Sequence, residues 1–318
     1  MSADDHEAKA VPAHPGPPMP VPLGVGFGCV PMLPDALYTP DLLDFVEITP
    51  EIFHREAVVR DRIELVPDRR QFDAARRRCG TLPIAVHGVE LSIGSAHGIY
   101  EPCLAMMDRL RQEWPFLWYS EHLHFQTFLD RDGKVVNTGV PLPLPATEEA
   151  AQLVASRAAS IQGRYGVPFL LENPAHYLAD LPADAGIRDE FGLMDRIVAL
   201  SGCGRLLDLH NLYCNAINFG FDPKAALERI ALDRVGEIHI AGGSWNDGFY
   251  MDGHNGRVPE PVWELLELTL SRAPWITAVV FEVLEEFVKR LGPDGIAREL
   301  EWARVVWRRY HPQPESVA

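Results

Sequence analysis

Basic residues are scarce in this chain of 318 residues, which has 29 lysines and arginines against 45 aspartates and glutamates. The formal net charge is therefore −16 at neutral pH. A surface this acidic repels a polyanion at long range, and neutralising phosphates needs clustered basic side chains. The composition argues against nucleic acid as a partner.

Long apolar runs are also missing, since a bilayer span needs about 18 to 20 mostly apolar residues and no window reaches that length. The opening MSADDHEAKA is acidic and has no apolar stretch of the kind that marks a secretory signal. We expect a cytoplasmic protein with no membrane partner. An odd number of cysteines without a CxxC pair indicates neither a disulfide framework nor a zinc ribbon. These cysteines are Cys29, Cys79, Cys103, Cys203 and Cys214.

Proline is concentrated near the N-terminus, where PAHPGPPMPVP follows the acidic opening. Proline removes backbone donors and disfavours regular helix and sheet hydrogen bonding. We therefore expect residues 1–22 to form a disordered arm. Residues 23–310 are predicted to form one domain, and residues 311–318 a C-terminal tail.

Beyond the arm, short apolar runs alternate with longer stretches of helical period. The near-continuous apolarity of the short runs is typical of strands buried on both faces, as in a parallel sheet. Helices are predicted over Glu148–Tyr165, Phe191–Ser201, Pro223–Ile230 and Pro259–Ser271, with Asp222 as an N-cap before Pro223. The predicted strands are Leu23–Phe27, Asp44–Ile48, Pro83–His87, Leu117–His122, Pro168–Glu172, Arg205–Leu209, Glu237–Ala241 and Ala278–Val283.

Eight strands separated by helices predict an α/β fold, a (β/α)8 TIM barrel in a single domain. A doubly wound open sheet is the alternative. The glycines at Gly24, Gly26 and Gly28 resemble the start of a dinucleotide-binding turn, but no helical pattern follows them directly. The stretch Phe125–Pro145 is predicted to be an insertion after the fourth strand, forming a lid or hairpin at the active-site face.

Polar residues end the second to the eighth predicted strands. The C-terminal ends of parallel barrel strands converge on one face, so these side chains should share one pocket. Imidazoles and carboxylates without thiolate suit iron, manganese or zinc, and their number suits two or three ions bridged by carboxylates. The strand-end residues are Glu47, His87, Glu121, His122, Glu172, Asp208, His239 and Glu282; His210 and Asn211 follow Asp208, and Asp252 and His254 lie in the loop MDGHNG.

Some of these candidates have a second interpretation. Glu47 and Glu121 could orient a ligand histidine instead of binding metal themselves. After the third predicted strand, Ser92, Gly94 and Ser95 belong to a glycine-serine loop whose backbone amides are candidates for binding an anionic substrate group. Loop flexibility explains that composition equally well.

The motifs HGVELSIGS, SEHL, LLENP, LLDLHN, GEIHIAG, DGHNGRVPEPVW and FEV occur in this order along the chain. Together they resemble the multinuclear non-heme iron-dependent oxidative enzymes, a family that includes the methanobactin oxazolone synthase catalytic subunit. The likeness extends from about Leu23 to Trp307. Two positions depart from the family pattern, because His210 stands where the family commonly has Asn and Gly253 where it has Thr.

The resemblance implies a TIM-type barrel that holds two or three iron ions of mixed Fe(II) and Fe(III) state and uses O2 as co-substrate. It implies modification of a residue, often cysteine, in a ribosomally synthesised precursor peptide, with a separate partner protein that recognises the leader peptide. The position of His210 leaves the number of metals open. By motif position the ligands would be His87, His122, Glu172, Asp208, Asn211, His239, Asp252, His254 and Glu282.

Two other functional classes share the sequence features. One is a zinc- or manganese-dependent hydrolase or isomerase of the xylose-isomerase-like barrels, acting on a sugar or phosphodiester. The other is a non-catalytic binding scaffold, although a degenerate site should show apolar replacements at the strand ends. No dedicated proton-transfer residue can be named from the sequence.

Overall fold

The computed structural model describes residues 16–31, 33–284 and 287–312. Eight parallel strands close into a barrel, and helices follow most of them on the outside. This confirms the predicted TIM barrel and its single domain. The barrel strands, numbered along the chain, are β1 (Gly24–Gly28), β2 (Phe45–Ile48), β3 (Ile84–Gly88), β4 (Tyr119–His122), β5 (Phe169–Glu172), β6 (Gly204–Asp208), β7 (Val235–Ile240) and β8 (Ala278–Phe281).

The strands follow one another around the barrel in chain order. β8 closes the barrel on β1 through parallel pairs such as Val25 with Val279. An open doubly wound sheet would reverse its strand order and leave two edges, so that alternative is wrong. Because all eight strands run in one direction, their C-terminal ends meet at a single mouth.

The outer layer consists of eight helices in the described ranges. Acidic or hydroxyl side chains cap several of them, and the predicted cap is confirmed, since Asp222 accepts a hydrogen bond from the backbone amide of Lys224. The last helix contains a kink at Gly292, where φ is 66°, directly before Pro293. The helices are α1 (Arg69–Cys79), α2 (Glu101–Glu113), α3 (Glu148–Tyr165), α4 (Glu190–Ser201), α5 (Leu209–Phe219), α6 (Pro223–Arg229), α7 (Glu260–Arg272) and α8 (Val288–Tyr310).

In the part of the chain that the structure describes, three antiparallel hairpins extend from the barrel. The first pairs His54–Val59 with Arg62–Pro67, and the third pairs Ser244–Asn246 with Phe249–Met251. The second pairs His124–Leu129 with Val135–Pro143, directly after β4. The insertion predicted after the fourth strand is therefore a hairpin.

The lower half of the barrel interior is lined mainly by apolar side chains. Phe45 and Trp118 pack there with ring centroids 5.3 Å apart, together with Leu170, Leu206 and Val280. One carboxylate is buried among them, because Glu237 accepts the indole hydrogen of Trp118 at 2.8 Å. The larger core lies between the strands and the helices. Above this mainly apolar layer, the polar strand-end residues gather at the C-terminal mouth.

The N-terminal segment runs across the opposite end of the barrel. Residues 1–15 of the expected arm lie outside the described residues, as do residues 313–318 of the expected tail. Within residues 16–22, the backbone amide of Gly16 donates to the carbonyl of Gly202, and Thr277 donates to the carbonyl of Pro20. Met19 packs against the lower interior cluster. These contacts attach residues 16–22 to the domain.

Candidate metal centre

The barrel mouth collects imidazole and carboxylate groups from every strand between β2 and β8. Strand register brings them side by side, since His122 pairs with Glu172 and Asp208 pairs with His239. Side chains alternate between the two faces of a strand, so Ser120 and His122 point into the barrel while Tyr119 and Glu121 point outward. Glu282 follows the last residue of β8 and lies at the same mouth.

One group is formed by β3, β4 and β5. The Nε2 atoms of His87 and His122 lie 3.0 Å apart. Oε2 of Glu172 lies 3.2 Å from Nε2 of His87 and 3.3 Å from Nδ1 of His122. Three potential donor atoms therefore converge on one small volume, as they would around a cation.

The orientation of His87 is set by a neighbouring serine. Ser120 is fully buried and donates its hydroxyl hydrogen to the carbonyl of Val86 at 3.2 Å. Its oxygen lies 3.0 Å from Nδ1 of His87, and with its single hydrogen already used it accepts the Nδ1 hydrogen. His87 is thereby held as the tautomer whose Nε2 lone pair faces His122 and Glu172.

A second group surrounds His239 on β7. Its Nε2 lies 3.2 Å from Oε2 of Glu47, and its Nδ1 lies 3.0 Å from Oε2 of Glu282. Burial by itself would lower the pKa of His239, but these two carboxylates outweigh burial and raise the pKa well above its usual value. Glu47 thus contacts a histidine of the cluster, as the sequence allowed.

A third group lies on the loop after β7 and the start of α5. Oδ1 of Asp252 is 2.8 Å from Nδ1 of His210 and 2.9 Å from Nε2 of His254. Gly243 packs directly beneath His210, and a Cβ there would come within 2.9 Å of Nε2 of that ring. His210 is therefore part of the cluster.

Two carboxylates connect these groups. Potential ligand atoms of Glu172, Asp208 and His239 lie within 4.8 Å of one another, and the same holds for Asp208, His254 and Glu282. Asp208 is also the N-cap of α5, where one of its oxygens accepts the amide of Asn211 at 2.6 Å. Its other oxygen, Oδ2, is buried and has no hydrogen-bond partner among the described residues.

Several other buried atoms of the candidate ligands also lack a hydrogen-bond partner. Within the described ranges Oε2 of Glu172, Oδ1 of Asn211, Nδ1 of His239 and Nε2 of His254 have no hydrogen-bond partner. For Glu172, His239 and His254, ligand-type atoms of neighbouring side chains lie only about 3 Å away but are not aligned as hydrogen bonds. Buried polar atoms are rarely left unpaired. Close approach without hydrogen-bond alignment is expected of side chains arranged around cations, so the donor set fits a metal cluster.

The pKa shifts of the side chains at the barrel mouth also favour a metal cluster. Burial, followed by repulsion from Asp208, raises the pKa of Glu172 well above its usual value. Burial raises the pKa of Asp208 to about 7, with Asp252 and Glu282 adding to the shift. Burial lowers the pKa of His87 well below its usual value. Bound cations would compensate the charge of these clustered carboxylates and accept the lone pairs of neutral histidines.

Glu121 is the strand-end candidate that the structure does not bring to the cluster. It points out of the barrel, where its Oε2 accepts the hydroxyl of Tyr119 at 2.8 Å and its Oε1 accepts the amide of Leu91 at 3.4 Å. Burial raises the pKa of Glu121 well above its usual value, with repulsion from Glu51 adding to the effect. Adjacent residues of a strand face opposite ways, so Glu121 and His122 cannot both face the mouth.

The glycine-serine loop also lies apart from the cluster. The hydroxyls of Ser92 and Ser95 lie 2.7 Å apart, and that of Ser95 donates to the carbonyl of Thr127. Ser92 accepts the amide of Gln126, and Gly94 donates to the carbonyl of His124. These contacts hold the base of the hairpin after β4, and the amides of Gly94 and Ser95 are both used in backbone hydrogen bonds.

Residues that orient the ligand candidates were missed in the sequence. Asn173 brackets Asp208, because its Oδ1 accepts the amide of Asp208 and its Nδ2 donates to the carbonyl. The hydroxyl of Tyr177 accepts the amide of Asp252 at 2.9 Å. Ser120 lies two residues before His122, so strand alternation places both side chains on the inward face. This spacing was the one signal in the sequence for a residue that orients a ligand.

Among the helices in the described ranges, none combines the length and apolar composition that crossing a bilayer requires.

Comparison with solved structures finds similar barrels at low sequence identity. A xylose isomerase domain containing protein from Salmonella typhimurium matches with a TM-score of 0.56 and 13% identity, over 91% of this chain and 99% of that chain. A xylose isomerase domain protein from Planctomyces limnophilus gives 0.55 and 11%, over 92% and 100%. These likenesses show the fold alone.

Sequence relatives are much closer. A UPF0276 protein of Rhizorhabdus wittichii is 38% identical over 234 residues, which is 73% of this chain and 77% of the relative. A UPF0276 protein of Caulobacter vibrioides is 34% identical over 269 residues, 84% and 87% of the two chains. The family model described as RiPP precursor modification enzyme MbnB/TglH/ChrH matches residues 23–301, which confirms the resemblance seen in the motifs. This chain belongs to the RiPP precursor modification enzyme family MbnB/TglH/ChrH.

Proposed function

We propose that the protein uses iron and O2 to oxidise a residue, most simply a cysteine, of a ribosomally synthesised precursor peptide. The proposal is carried by one observation: buried imidazoles and carboxylates from seven successive strands converge at the barrel mouth with unpaired ligand atoms. Membership of a precursor-modifying family supports a peptide as substrate. Nitrogen and oxygen donors without thiolate suit non-heme iron.

The geometry favours three linked positions. One would be held by His87, His122 and Glu172, the next by Glu172, Asp208 and His239, and the third by Asp208, His254 and Glu282. Glu172 and Asp208 each belong to two of these groups, and a carboxylate has two oxygens with which to bridge neighbouring ions. Asp252, His210 and Asn211 would complete the third position, and Glu47 would orient His239.

Iron would supply a change of oxidation state and reactivity toward O2, which zinc does not have. The residues of the chain position the side chains that would bind the iron. Ser120 holds the tautomer of His87, and Asn173 with the α5 amide holds Asp208. Clustered carboxylates would keep the cations in place.

Access to the centre is from the mouth. The most exposed of the candidate ligands are His122, with 24% of its side chain exposed, and Asp252, with 20%. The hairpins after β4 and β7 rise beside them and would limit the entry of water around a bound peptide. A peptide residue entering the mouth would therefore meet His122 and Asp252 first.

Two further elements belong to the proposal. A separate protein that recognises the leader peptide would deliver the substrate, as the family resemblance implies. The reaction would take place in the cytoplasm, where the five free and buried cysteines of this chain would stay reduced.

The experiment compares Glu172→Gln with Glu121→Gln. Both glutamates are buried, but only Glu172 lies in the cluster. Metal content would be measured on protein purified without added metal, and O2 uptake and peptide mass would be followed with cysteine-containing peptides. We expect iron and O2-dependent mass change to be lost in Glu172→Gln and kept in Glu121→Gln.

Equal iron in both variants would contradict the ligand assignment. Stoichiometric zinc with no iron and no O2 uptake would favour the rival function, a zinc- or manganese-dependent hydrolase or isomerase acting on a sugar or phosphodiester. That rival shares the barrel and the donor types, so the metal and the oxidant separate the two functions.

A further inference from the structure

A cavity of about 700 Å³ is lined in part by residues that neighbour the proposed metal ligands along the chain, and it contains none of those ligands. Leu123, which directly follows His122, lines the cavity, and so does Pro174, which lies two residues after Glu172. The remaining wall comes from the end of the hairpin after β4, the long connection between β5 and α4, the first turn of α4, the end of α5 and α6. Its volume is in the range of about 300 to 1,000 Å³ that is usual for ligand pockets.

The wall of this cavity is mainly apolar. Leu144, Phe191, Phe219 and Phe221 line it together with Ala226. Such a surface gains free energy when it covers an apolar group of a ligand, because that group leaves water. A sugar or a phosphate would leave these side chains without comparable contact.

The charged residues around the cavity narrow the class of ligand further. Arg229 pairs with Asp189, and Nε2 of His176 lies 3.0 Å from Oε2 of Glu190. The lining holds more carboxylates than guanidinium groups, so its local charge disfavours an acidic ligand. The charged residues of the lining are Asp180, Arg188, Asp189, Glu190, Asp222 and Arg229.

We propose that this cavity binds an apolar side chain of the substrate peptide, a few residues away from the residue that is oxidised. The inference rests on the proposed function, because it needs a peptide whose reactive residue sits at the mouth. An extended peptide advances about 3.3 Å per residue, so a side chain two to four residues away reaches about 7 to 13 Å further. Leu123 and Pro174 of the cavity wall lie one and two residues beyond His122 and Glu172 in the chain, which is within this reach.

The probe is a set of short fluorescein-labelled peptides with a central serine in place of cysteine, so that they bind without turnover. One flanking position carries Leu, Phe, Lys or Asp, and the other positions are Gly or Ser. Binding to the metal-loaded protein would be measured by fluorescence anisotropy. We expect Leu and Phe to bind at least about tenfold more tightly than Asp, since each buries one large apolar side chain.

The variant Leu178→Asp places a charge in the cavity wall, and Leu117→Asp is its control. Leu178 lines the cavity and is 45% exposed, whereas Leu117 lies just before β4, at the end of the barrel opposite the mouth, and is 36% exposed. Both proteins should fold, because both leucines already contact solvent. The preference for Leu and Phe should disappear in Leu178→Asp and remain in Leu117→Asp.

Equal binding of all peptides by the wild type would overturn the inference, as would equal effects of the two substitutions. The proposed function fails separately. Protein that carries iron and consumes O2 but shows no apolar preference would refute the cavity alone. Protein that prefers apolar peptides but carries only zinc would refute the oxidation chemistry.

Discussion

The substitution Ser120→Ala tests how the chain orients His87. Ser120 is fully buried and accepts the Nδ1 hydrogen of His87 while it donates to the carbonyl of Val86. Alanine removes the acceptor but fills nearly the same volume. His87 would lose the contact that selects its tautomer, and its Nδ1 hydrogen would be left buried without that partner.

The expected loss follows from these contacts. Removing a residue that orients a metal ligand typically lowers metal affinity by about 10- to 100-fold, or about 1.4 to 2.7 kcal/mol. The lost hydrogen bonds should also cost about 1 to 3 kcal/mol of folding free energy. Because the second loss also occurs in the metal-free protein, the two effects can be measured separately.

The assay is an anaerobic Fe(II) titration against a competing chelator, with thermal unfolding of the metal-free protein alongside. The matched control is Ser201→Ala, because the buried hydroxyl of Ser201 bonds the carbonyl of Ile197 far from the mouth. We expect Ser201→Ala to lower stability but leave iron affinity unchanged. Iron affinity of Ser120→Ala within about twofold of the wild type, against the loss expected for an orienting residue, would refute the proposed role of Ser120.

Two further predictions concern stability. A Cβ at Gly26 would lie 2.3 Å from Cζ of Phe45, so Gly26→Ala should lower the free energy of unfolding by about 1 to 3 kcal/mol. The control is Gly28→Ala on the same strand, where a Cβ meets nothing within 4 Å in the described chain. Equal chemical denaturation curves for the two variants would contradict this packing. Burial raises the pKa of Glu51 to about 7, so its contribution to stability is present below about pH 4.5 and lost as the pH rises through about 7. Relative to the exposed control Glu301→Gln, Glu51→Gln should remove up to about 3 kcal/mol of this decline between pH 4.5 and 8, and an unchanged decline would refute it.

The strands could be predicted because they are buried on both faces. Predicted and observed bounds agree within two residues at every end of the eight barrel strands, since an uninterrupted apolar run is itself the signal of a buried parallel strand. The helix Glu148–Tyr165 was predicted with its observed bounds. Its ends coincide with an N-cap at Thr147 and with Gly166 in the left-handed region at φ 65°.

The hairpins differ in how clearly the sequence marks their turns. Asp247 and Gly248 have positive φ values in the hairpin after β7, and Asp-Gly between apolar residues was a readable signal that was missed. The hairpin after β2 turns at Arg60 and Asp61, also with positive φ. No glycine marks that turn, so local sequence offered little to predict it.

The site was predictable where one strand end carried one polar residue. Where two neighbours were polar, as at Glu121 and His122, the choice depended on which face of β4 is inside, and that is set by packing between distant elements. The hydroxyls of Ser92 and Ser95 are taken up by residues more than 30 positions away along the chain. Such long-range hydrogen bonds cannot be read from the spacing of a loop.

The measurement that tests the central claim most directly is the metal content per chain of wild-type protein, purified anaerobically without added metal. We predict two to three iron ions per chain, with O2 consumed when the precursor peptide is added. One zinc ion per chain, no iron and no O2 consumption would contradict the account.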